Sequence, residues 1–526
     1  MSRLIRLAGV LALVAACLPA GSASALSFPV TSTADTKTKG TLRASIEEAN
    51  LSFLEPDTIP IEVTGTIELG SALPPIAEDI TVTGPGADSL TVERTGSTPF
   101  RIFWLSGGDA TFSGLTVSGG KDIYGAGFFN EDGTLTLNRV AVTGNEAFKE
   151  TTGSTLAMGG GIRSYGPLTV RESVVSGNAS IARGSGEITI ASGGGIEAYG
   201  VTTIERSTIS ENRIESFAEE GGESYAEGGG LLLAGPPAKI VESTISGNSA
   251  HAYEGNPSTI TRGGGLYTFR VALTGSTVTG NSAEAEDNGS AFSALGANVY
   301  TTEGVTAGAT IVADPIGGSD SCGASLLGEY TSAGFNLDED DSCGFGKSSD
   351  LSGVVAGLEP LGDNGGPTPT HPLQADSPAV DRGTSFGLTS DQRGLTRPSN
   401  FPAISDAEGG DGADIGAFEL QAPPAPGPEP VRITETPADR TAPNTRIVSG
   451  PPRNTYKTKA KFRFASSEPQ SSFQCRLDKK KWRACANPFK RSVKPGKHVF
   501  KVRAIDRFGN VDPTPARFGW RVKPLS

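Results

Sequence analysis

Short apolar runs alternate with Gly, Ser and Asn along the middle of the chain, and the pattern repeats. The asparagines that close successive units lie 33, 34, 36 and 33 residues apart. Branched or leucine side chains recur eight residues before each Asn (Leu137, Val170, Ile204, Ile240 and Leu273) and three residues before it (Val142, Val175, Ile209, Ile245 and Val278). A fixed period with inward apolar columns predicts a β-solenoid with parallel, stacked strands.

The corners of each unit are marked by Gly triplets and by the closing asparagines Asn145, Asn178, Asn212, Asn248 and Asn281. Glycine permits a sharp corner, and Asn tolerates the left-handed conformation while its amide bonds to the Asn of the next coil. Units with "GGGI" and "TISGN" resemble the right-handed parallel β-helix repeats of exported and surface proteins. The fold class expected is therefore all-β: a right-handed parallel β-helix with an N-terminal capping helix and a C-terminal Ig-like sandwich.

Between each Asn and the next Gly triplet the chain contains 13 to 15 further residues, such as "EAFKETTGSTLAM". They are predicted to form loops that stand side by side as a lateral flange.

Charges alternate in sign six residues before each Asn: Arg139, Glu172, Arg206 and Glu242, then Gly275. Strands in a parallel stack are ~4.8 Å apart, so this alternation predicts an outward ion-pair ladder on the strand faces rather than catalytic groups.

The strand after each Gly triplet is predicted to present aromatic and charged side chains outward. The candidate binding residues are Phe129, Arg163, Tyr165, Tyr199, Tyr267 and Phe269. Parallel aromatic rows can bind the faces of sugar rings. The alternative is that the flange loops fold over this face and bury it.

Both ends of the solenoid need caps, because open coils expose apolar side chains and unpaired backbone. "TLRASIEEAN" predicts an amphipathic helix within residues 26–110, before the repeats at 111–315. This region resembles the N-terminal part of CSLREA-type exported β-helix proteins, although Gly40 stands where that motif often has Cys.

Residues 316–420, predicted as the C-terminal part of the solenoid, contain "LGDNGGPTPTHPLQADSPAVDRG", "DQRGLTRP" and "DIGAFEL". In this order the motifs resemble the choice-of-anchor Q region of bacterial surface proteins, which implies display outside the cell. The charged residues here are interpreted as buried Asp–Arg pairs that fix irregular loops; they are Asp363, His371, Asp381, Arg382, Asp391, Arg393 and Asp414. The acidic run 338–341 offers oxygen ligands for Ca²⁺, but it lacks EF-hand spacing and is expected to be a solvated loop. No cofactor is expected.

A Pro-rich linker, 421–440, is predicted to precede an independent module at 441–526. "FQCRLD", "WRAC" and "VRAIDRFGNVDPTP" resemble bacterial extracellular Ig-like repeats. From residue 431 onward 23 Lys plus Arg stand against 6 Asp plus Glu, a net charge of +17, whereas the rest of the chain carries −30. A cell-wall polymer or another polyanion is the expected partner; nucleic acid is not expected in an exported protein.

The first 25 residues follow the plan of a secretory signal. "VAAC" offers Cys17 as a lipidated N-terminus instead. The other four cysteines are expected to pair as Cys322–Cys343 and Cys475–Cys485, and no later segment is apolar enough to span a membrane. The oligomeric state is left open.

These features predict a non-catalytic secreted or cell-surface protein for adhesion or carbohydrate binding. The alternative is a polysaccharide lyase or glycoside hydrolase on a β-helix scaffold. The chain has no "DPHD", "NTD" or "RIK" motif of the kind associated with epimerases and polygalacturonases.

Overall fold

The computed structural model describes residues 25–52, 56–219, 221–253, 258–286, 291–422 and 439–524. The chain divides into two units, Met1–Pro423 and Pro424–Ser526. The predicted signal segment with Cys17 and the body of the Pro-rich linker lie outside the described residues. In the described part, no helix is both long and apolar enough to cross a membrane.

The predicted N-terminal capping helix is confirmed. Helix α1 spans Leu42–Ala49, and the Thr41 side chain accepts a hydrogen bond from the backbone of its first turn. Leu42 and Ile46 are buried in the same apolar cluster as the first solenoid coils. The helix therefore closes the core at this end.

Each coil wraps two strands of a long sheet and one strand of an opposite sheet around the apolar core. The long sheet contains Asp57–Pro60, Ile80–Thr83, Phe103–Leu105, Ala110–Ser113, Phe128–Asn130, Leu135–Asn138, Ile162–Ser164, Leu168–Arg171, Ile196–Ala198, Thr202–Glu205, Leu231–Leu233, Ala238–Val241, Leu266–Thr274, Val299–Gly308, Cys322–Ala324 and Glu329–Gly334. The opposite sheet contains Gly65–Leu69, Leu90–Arg94, Thr116–Ser118, Ala141–Thr143, Val174–Ser176, Thr208–Ser210, Thr244–Ser246, Thr277–Thr279, Ile311–Ala313, Leu337–Asp338 and Leu351–Ser352. Neighbouring strands within each of these two sheets are parallel, which confirms the β-helix.

The inward columns have the predicted register. Leu137 pairs with Val170, and Val170 with Ile204. The Asn ladder is also present: the side-chain amide of each Asn donates to the next at 2.9 Å, from Asn145 through Asn281. Asn281 donates in turn to Asn298, a rung that the repeat spacing did not reveal.

The flange consists of β-strands, so the prediction of loops was wrong. Its first sheet contains Lys121–Asp122, Glu146–Thr151, Ala179–Gly184, Arg213–Ala218, Ser249–Tyr253 and Ser282–Ala285; its second contains Thr155–Met158, Ile188–Ser192, Glu223–Glu227, Ser258–Arg262 and Ala291–Leu295. A thin core made of alanines and one isoleucine lies between them: Ala147, Ala157, Ala182, Ala191, Ile214, Ala226, Ala250 and Ala252. Strands with so little apolar bulk resemble loops in sequence.

The charged ladder lies at a corner between the long and opposite sheets. Its members sit in a left-handed turn, with φ of 55° at Arg139 and 47° at Glu172, rather than on the strand faces expected. Glu172 binds both Arg139, at 2.7 Å, and Arg206, at 2.6 Å. At Gly275 a Cβ atom would lie 2.9 Å from the Arg397 guanidinium, so a later segment takes the place of the next side chain.

That later segment, 354–422, continues beyond the last solenoid strand and lies on the outer face of the opposite sheet. Thr208 donates to the Pro369 carbonyl at 2.6 Å, and Thr244 donates to Gln392 at 2.6 Å. The Ala417 backbone donates to Thr277 at 3.0 Å. These motif residues dock the segment across several coils.

The interpretation of the charged residues in this segment holds in part. Asp391 pairs with Arg393 at 2.7 Å. Asp381 and Asp414 instead accept backbone N–H groups, His371 bonds to Ser246, Asp363 accepts from the Gly365 backbone, and Arg382 reaches the Ser405 carbonyl. The most deeply buried pair, Arg397–Glu419 at 2.9 Å, was missed.

The acidic run is not a solvated loop throughout. Asp338 is fully buried and accepts the Cys343 backbone N–H at 2.8 Å. Burial raises the pKa of Asp338 to about 7. The predicted Cys322–Cys343 disulfide is formed beside it.

The C-terminal unit is a sandwich of two mainly antiparallel sheets. One contains Thr445–Ser449, Lys459–Ser466 and Phe489–Ser492; the other contains Asn454–Thr455, Ser472–Leu477, Arg483–Ala484, Gly496–Ile505 and Ala516–Val522. Phe462, Phe500 and Trp520 fill the space between them, and the predicted Cys475–Cys485 disulfide is formed. The Ig-like assignment stays a prediction.

Candidate functional site

The strands that follow the Gly triplets present two outward columns, here called the aromatic face. The first column is Trp104, Phe129, Arg163, Glu197, Leu232, Tyr267 and Tyr300. The second is Glu131, Tyr165, Tyr199, Ala234 and Phe269. Strands of the second flange sheet lead directly into the Gly corners beside these columns, so the aromatic face adjoins the flange.

Toward the C-terminal end the face is covered. Tyr267 is only 8% exposed and stacks on Tyr300 at 5.5 Å between ring centroids. Both rings cluster with Leu232, and the partly buried Phe269 packs against them. Burial raises the pKa of Tyr267 far above its ordinary value. The structure thus places two predicted binding residues, Tyr267 and Phe269, in a packed cluster.

Toward the N-terminal end the face is open. Tyr165 is 45% exposed and stacks on Tyr199 with ring centroids 5.3 Å apart and planes inclined by 20°. Phe129 meets Tyr165 edge-on at 6.0 Å. Trp104, one coil further along, is 38% exposed. These four rings form a continuous strip along the solenoid axis.

A buried ion pair lies beneath this strip. Arg163 is 6% exposed and Glu197 is 1% exposed, with Nε and Oε2 3.3 Å apart. Glu197 Oε1 accepts hydrogen bonds from the Tyr199 hydroxyl at 2.9 Å and from Ser192 at 3.1 Å. Burial raises the pKa of Glu197, and the charge of Arg163 opposes that rise. The predicted binding residue Arg163 is therefore a support that positions Tyr199 and is inaccessible to a polymer.

Next to the strip lies a cavity of about 350 Å³. Trp104 and Phe129 form part of its wall, together with Arg101, Asp122 and Glu131. Trp104 Nε1 donates to Glu131 at 2.9 Å, and Arg101 pairs with Asp122 at 3.0 Å while lying 4.4 Å from the Phe129 ring centroid. Aromatic faces beside charged hydrogen-bonding groups are suited to a polar ring with apolar C–H faces.

The sequence interpretation missed Trp104, Arg101, Asp122 and Glu131. This coil has no Gly triplet before its strand, so the repeat alignment did not reach it. The available signal was the alternation in "FWL", where Phe103 and Leu105 are buried and Trp104 points outward.

The open strip offers little for proton transfer. Burial raises the pKa of Tyr199 far above its ordinary value, and the nearby Glu197 charge and hydrogen bond add to the rise. Tyr199 therefore keeps its proton and is a poor general base.

Within the described residues, one group of three carboxylates has the spacing to hold a metal ion. Oxygen atoms of Asp439, Glu468 and Asp506 lie within 4.8 Å of one another in the C-terminal unit. Asp506 already accepts backbone hydrogen bonds from Phe508 and Asn510. The contacts within the turn account for its orientation without an ion.

No known family model and no curated protein matches this chain. Solved structures with a related course of chain include two A-modules of mannuronan C-5 epimerases from Azotobacter vinelandii. AlgE6 has a TM-score of 0.31 and 12% identity, covering 59% of this chain and 90% of its own. AlgE4 has the same score and identity, covering 60% and 91%.

Pectate lyase Pel9A aligns with a TM-score of 0.31 and 13% identity, covering 76% of this chain and 97% of its own. These likenesses concern the β-helix fold.

Proposed function

We propose that this chain is an exported, non-catalytic protein that binds a polysaccharide along the open part of its aromatic face. The observation that carries the proposal is the stack of the exposed Tyr165 on the partly buried Tyr199, which continues through Phe129 to the cavity beside Trp104. A rigid row of rings, one per coil, suits successive sugar rings of a linear polymer. The buried Arg163–Glu197 pair holds the row in place, so little ordering is needed on binding.

Two disulfides support the exported location, because such bonds persist in oxidising compartments. Secretion or surface display, and any lipid attachment at Cys17, belong to this proposal.

The second candidate function is glycoside hydrolysis, and one observation favours it: Asp122 and Glu131 line the same cavity. Glycosidases use two carboxyl groups on either side of the scissile bond. Here, however, Asp122 is paired with Arg101, and Glu131 accepts from Trp104. Each carboxylate thus has a partner that fixes its position, as is expected for the wall of a binding site. Names of the structural neighbours include a lyase and epimerases, which is consistent with a polysaccharide ligand under either candidate.

The test begins with a glycan array probed with the chain from residue 26 onward, followed by calorimetric titration of the best ligand. Trp104→Ala and Tyr165→Ala are each expected to weaken binding about tenfold, since each removes one stacking ring. Tyr456→Ala is the matched control, because Tyr456 is an exposed ring of the other unit. Its affinity should equal that of the wild type.

Two results would overturn the proposal. One is failure of the wild-type chain to bind any glycan. The other is release of reducing ends or unsaturated uronates from a bound polymer, which Glu131→Gln abolishes while binding persists. That second result would establish the hydrolytic or eliminative candidate instead.

A further inference from the structure

The outer face of the five-stranded sheet in the C-terminal unit carries cations on three adjacent strands. Arg476, Lys501 and Arg517 lie directly opposite one another in register, and Lys497 lies opposite Arg521. Neighbouring strands are ~4.8 Å apart, and like charges that face each other across strands are destabilising. This row therefore persists against its own repulsion.

The acidic residues of the unit do not neutralise the row. Across residues 439–524, the only oppositely charged side chains within 4.0 Å of each other are His498 and Asp478, at 2.9 Å. Asp506 and Asp512 are buried and accept backbone hydrogen bonds within turns and between strands. Asp506 and Asp512 thus hold the backbone in place, and within residues 439–524 no carboxylate lies within 4.0 Å of the charged groups of Arg476, Lys501 or Arg517.

The same face is open and only shallowly hollowed. A depression of about 820 Å³ is lined by Lys479, Lys480, Lys497, Lys501 and Arg517, together with Val499 and Asp478. Val499 lies opposite Gly519 at the bottom of the depression. The bottom is low there because glycine has no side chain. The rims carry ammonium and guanidinium groups and the centre is unobstructed.

We propose that this face binds a linear glycopolymer whose repeating units carry carboxylate or phosphate groups. Such a chain crossing these three strands meets a cation at each of them, which relieves the repulsion within the row. The face has few of the free stacking rings on which single-stranded nucleic acids rely. The nearby Trp482 ring is already approached by the guanidinium groups of Arg476, at 5.3 Å, and Arg503, at 4.7 Å.

This site is separate from the aromatic face in both position and chemistry. The open part of the aromatic face presents aromatic rings to sugar rings, whereas the basic face presents ammonium and guanidinium groups to anions. The protein thus carries two glycan-binding surfaces, one in each unit, and the second does not depend on the proposed function of the first.

The experiment titrates the chain from residue 26 onward with polygalacturonate, with poly(glycerol phosphate) and with uncharged dextran at low and moderate salt. Lys501→Gln with Arg517→Gln is expected to weaken polyanion binding about tenfold. The matched control is Lys461→Gln with Arg463→Gln, which removes the same charge from exposed positions of the three-stranded sheet. We expect the control to change the affinity less than about threefold, and moderate salt to weaken wild-type binding. A preference between the two polyanions identifies the anionic group.

Four outcomes would overturn the proposal: no binding to either polyanion at low salt; equal losses in both double variants, which indicates non-specific attraction; tighter binding to single-stranded DNA; or self-association through the basic face that excludes the polymers. The last would make the acidic solenoid of a second copy the occupant. Thermal unfolding of each variant checks that it is folded. Tyr165→Ala should bind the polyanion like the wild type, so failure of the proposed function and failure of this inference are distinguishable.

Discussion

The two parts of the aromatic face each contain a stacked pair of tyrosines, but the pairs lie in different columns and have different surroundings. In the open part, Tyr165 stacks on Tyr199 and remains accessible. In the covered part, Tyr267 stacks on Tyr300 at a similar distance but is buried. A stacked pair of tyrosines is therefore accessible or buried depending on the side chains that pack against it.

The charged corner likewise has a more accessible part and a covered part. Glu172 has two guanidinium partners, Arg139 and Arg206. Glu242, two coils later, is buried beside Arg397 of the segment that folds back over the solenoid. At this corner the repeat defines the column, and a segment distant in sequence covers part of it.

The largest effect is expected for the support beneath the open part. Arg163→Ala leaves Glu197 buried without its charge partner and should lower the free energy of unfolding by about 3–5 kcal/mol. Urea unfolding followed by circular dichroism measures this loss. The double variant Arg163→Leu with Glu197→Leu should lose less, because no charge is then buried alone. A double variant less stable than Arg163→Ala would contradict a supporting role for the pair.

A somewhat smaller effect separates the two tyrosine stacks. Tyr267→Ala opens a cavity in the covered part and should lower the free energy of unfolding by about 3 kcal/mol. Tyr165→Ala removes an exposed ring and should cost less than about 1 kcal/mol. Chemical denaturation of both variants tests the comparison directly. Equal losses would mean that the open part is also a packing element.

The smallest effect concerns pH at the covered end of the charged corner. Burial raises the pKa of Glu242 from 4.5 to about 7, against the opposing charges of Arg397 and Arg206. A raised carboxyl pKa stabilises the fold fully below pH 4.5, and this contribution is lost as pH rises through about 7. Glu242→Gln has no charge to bury. Its free energy of unfolding relative to that of the wild type should therefore rise by about 1 kcal/mol from pH 5 to pH 8.

Thermal unfolding at several pH values measures this gain. The control Glu172→Gln removes a carboxylate that has two guanidinium partners, so it should lose stability at pH 8. Parallel pH profiles for wild type and Glu242→Gln would show that Glu242 does not titrate on unfolding.

Much of the fold follows from local pattern. The apolar columns and the Asn ladder could be predicted because they repeat along the chain. The capping helix and both disulfides could be predicted because each depends on the spacing of residues within one short stretch. The flange strands could not, since alanine and serine in alternation carry little hydrophobic signal. Trp104 was missed because its coil precedes the regular repeats.

The sequence by itself determined the columns: which side chains stack on which, coil after coil. The tertiary structure alone decided which members of a column are accessible. Tyr165, which is exposed, and Phe269, which packs against the covered cluster, are equivalent in the repeat pattern, and Glu172 and Glu242 share one corner. At the charged corner exposure depends on a segment far away in the chain, since Arg397 lies over Gly275 and beside Glu242. At the covered end of the aromatic face it depends on side chains of neighbouring coils. A periodic pattern records neighbours within and between coils, and it carries no record of what later folds across them.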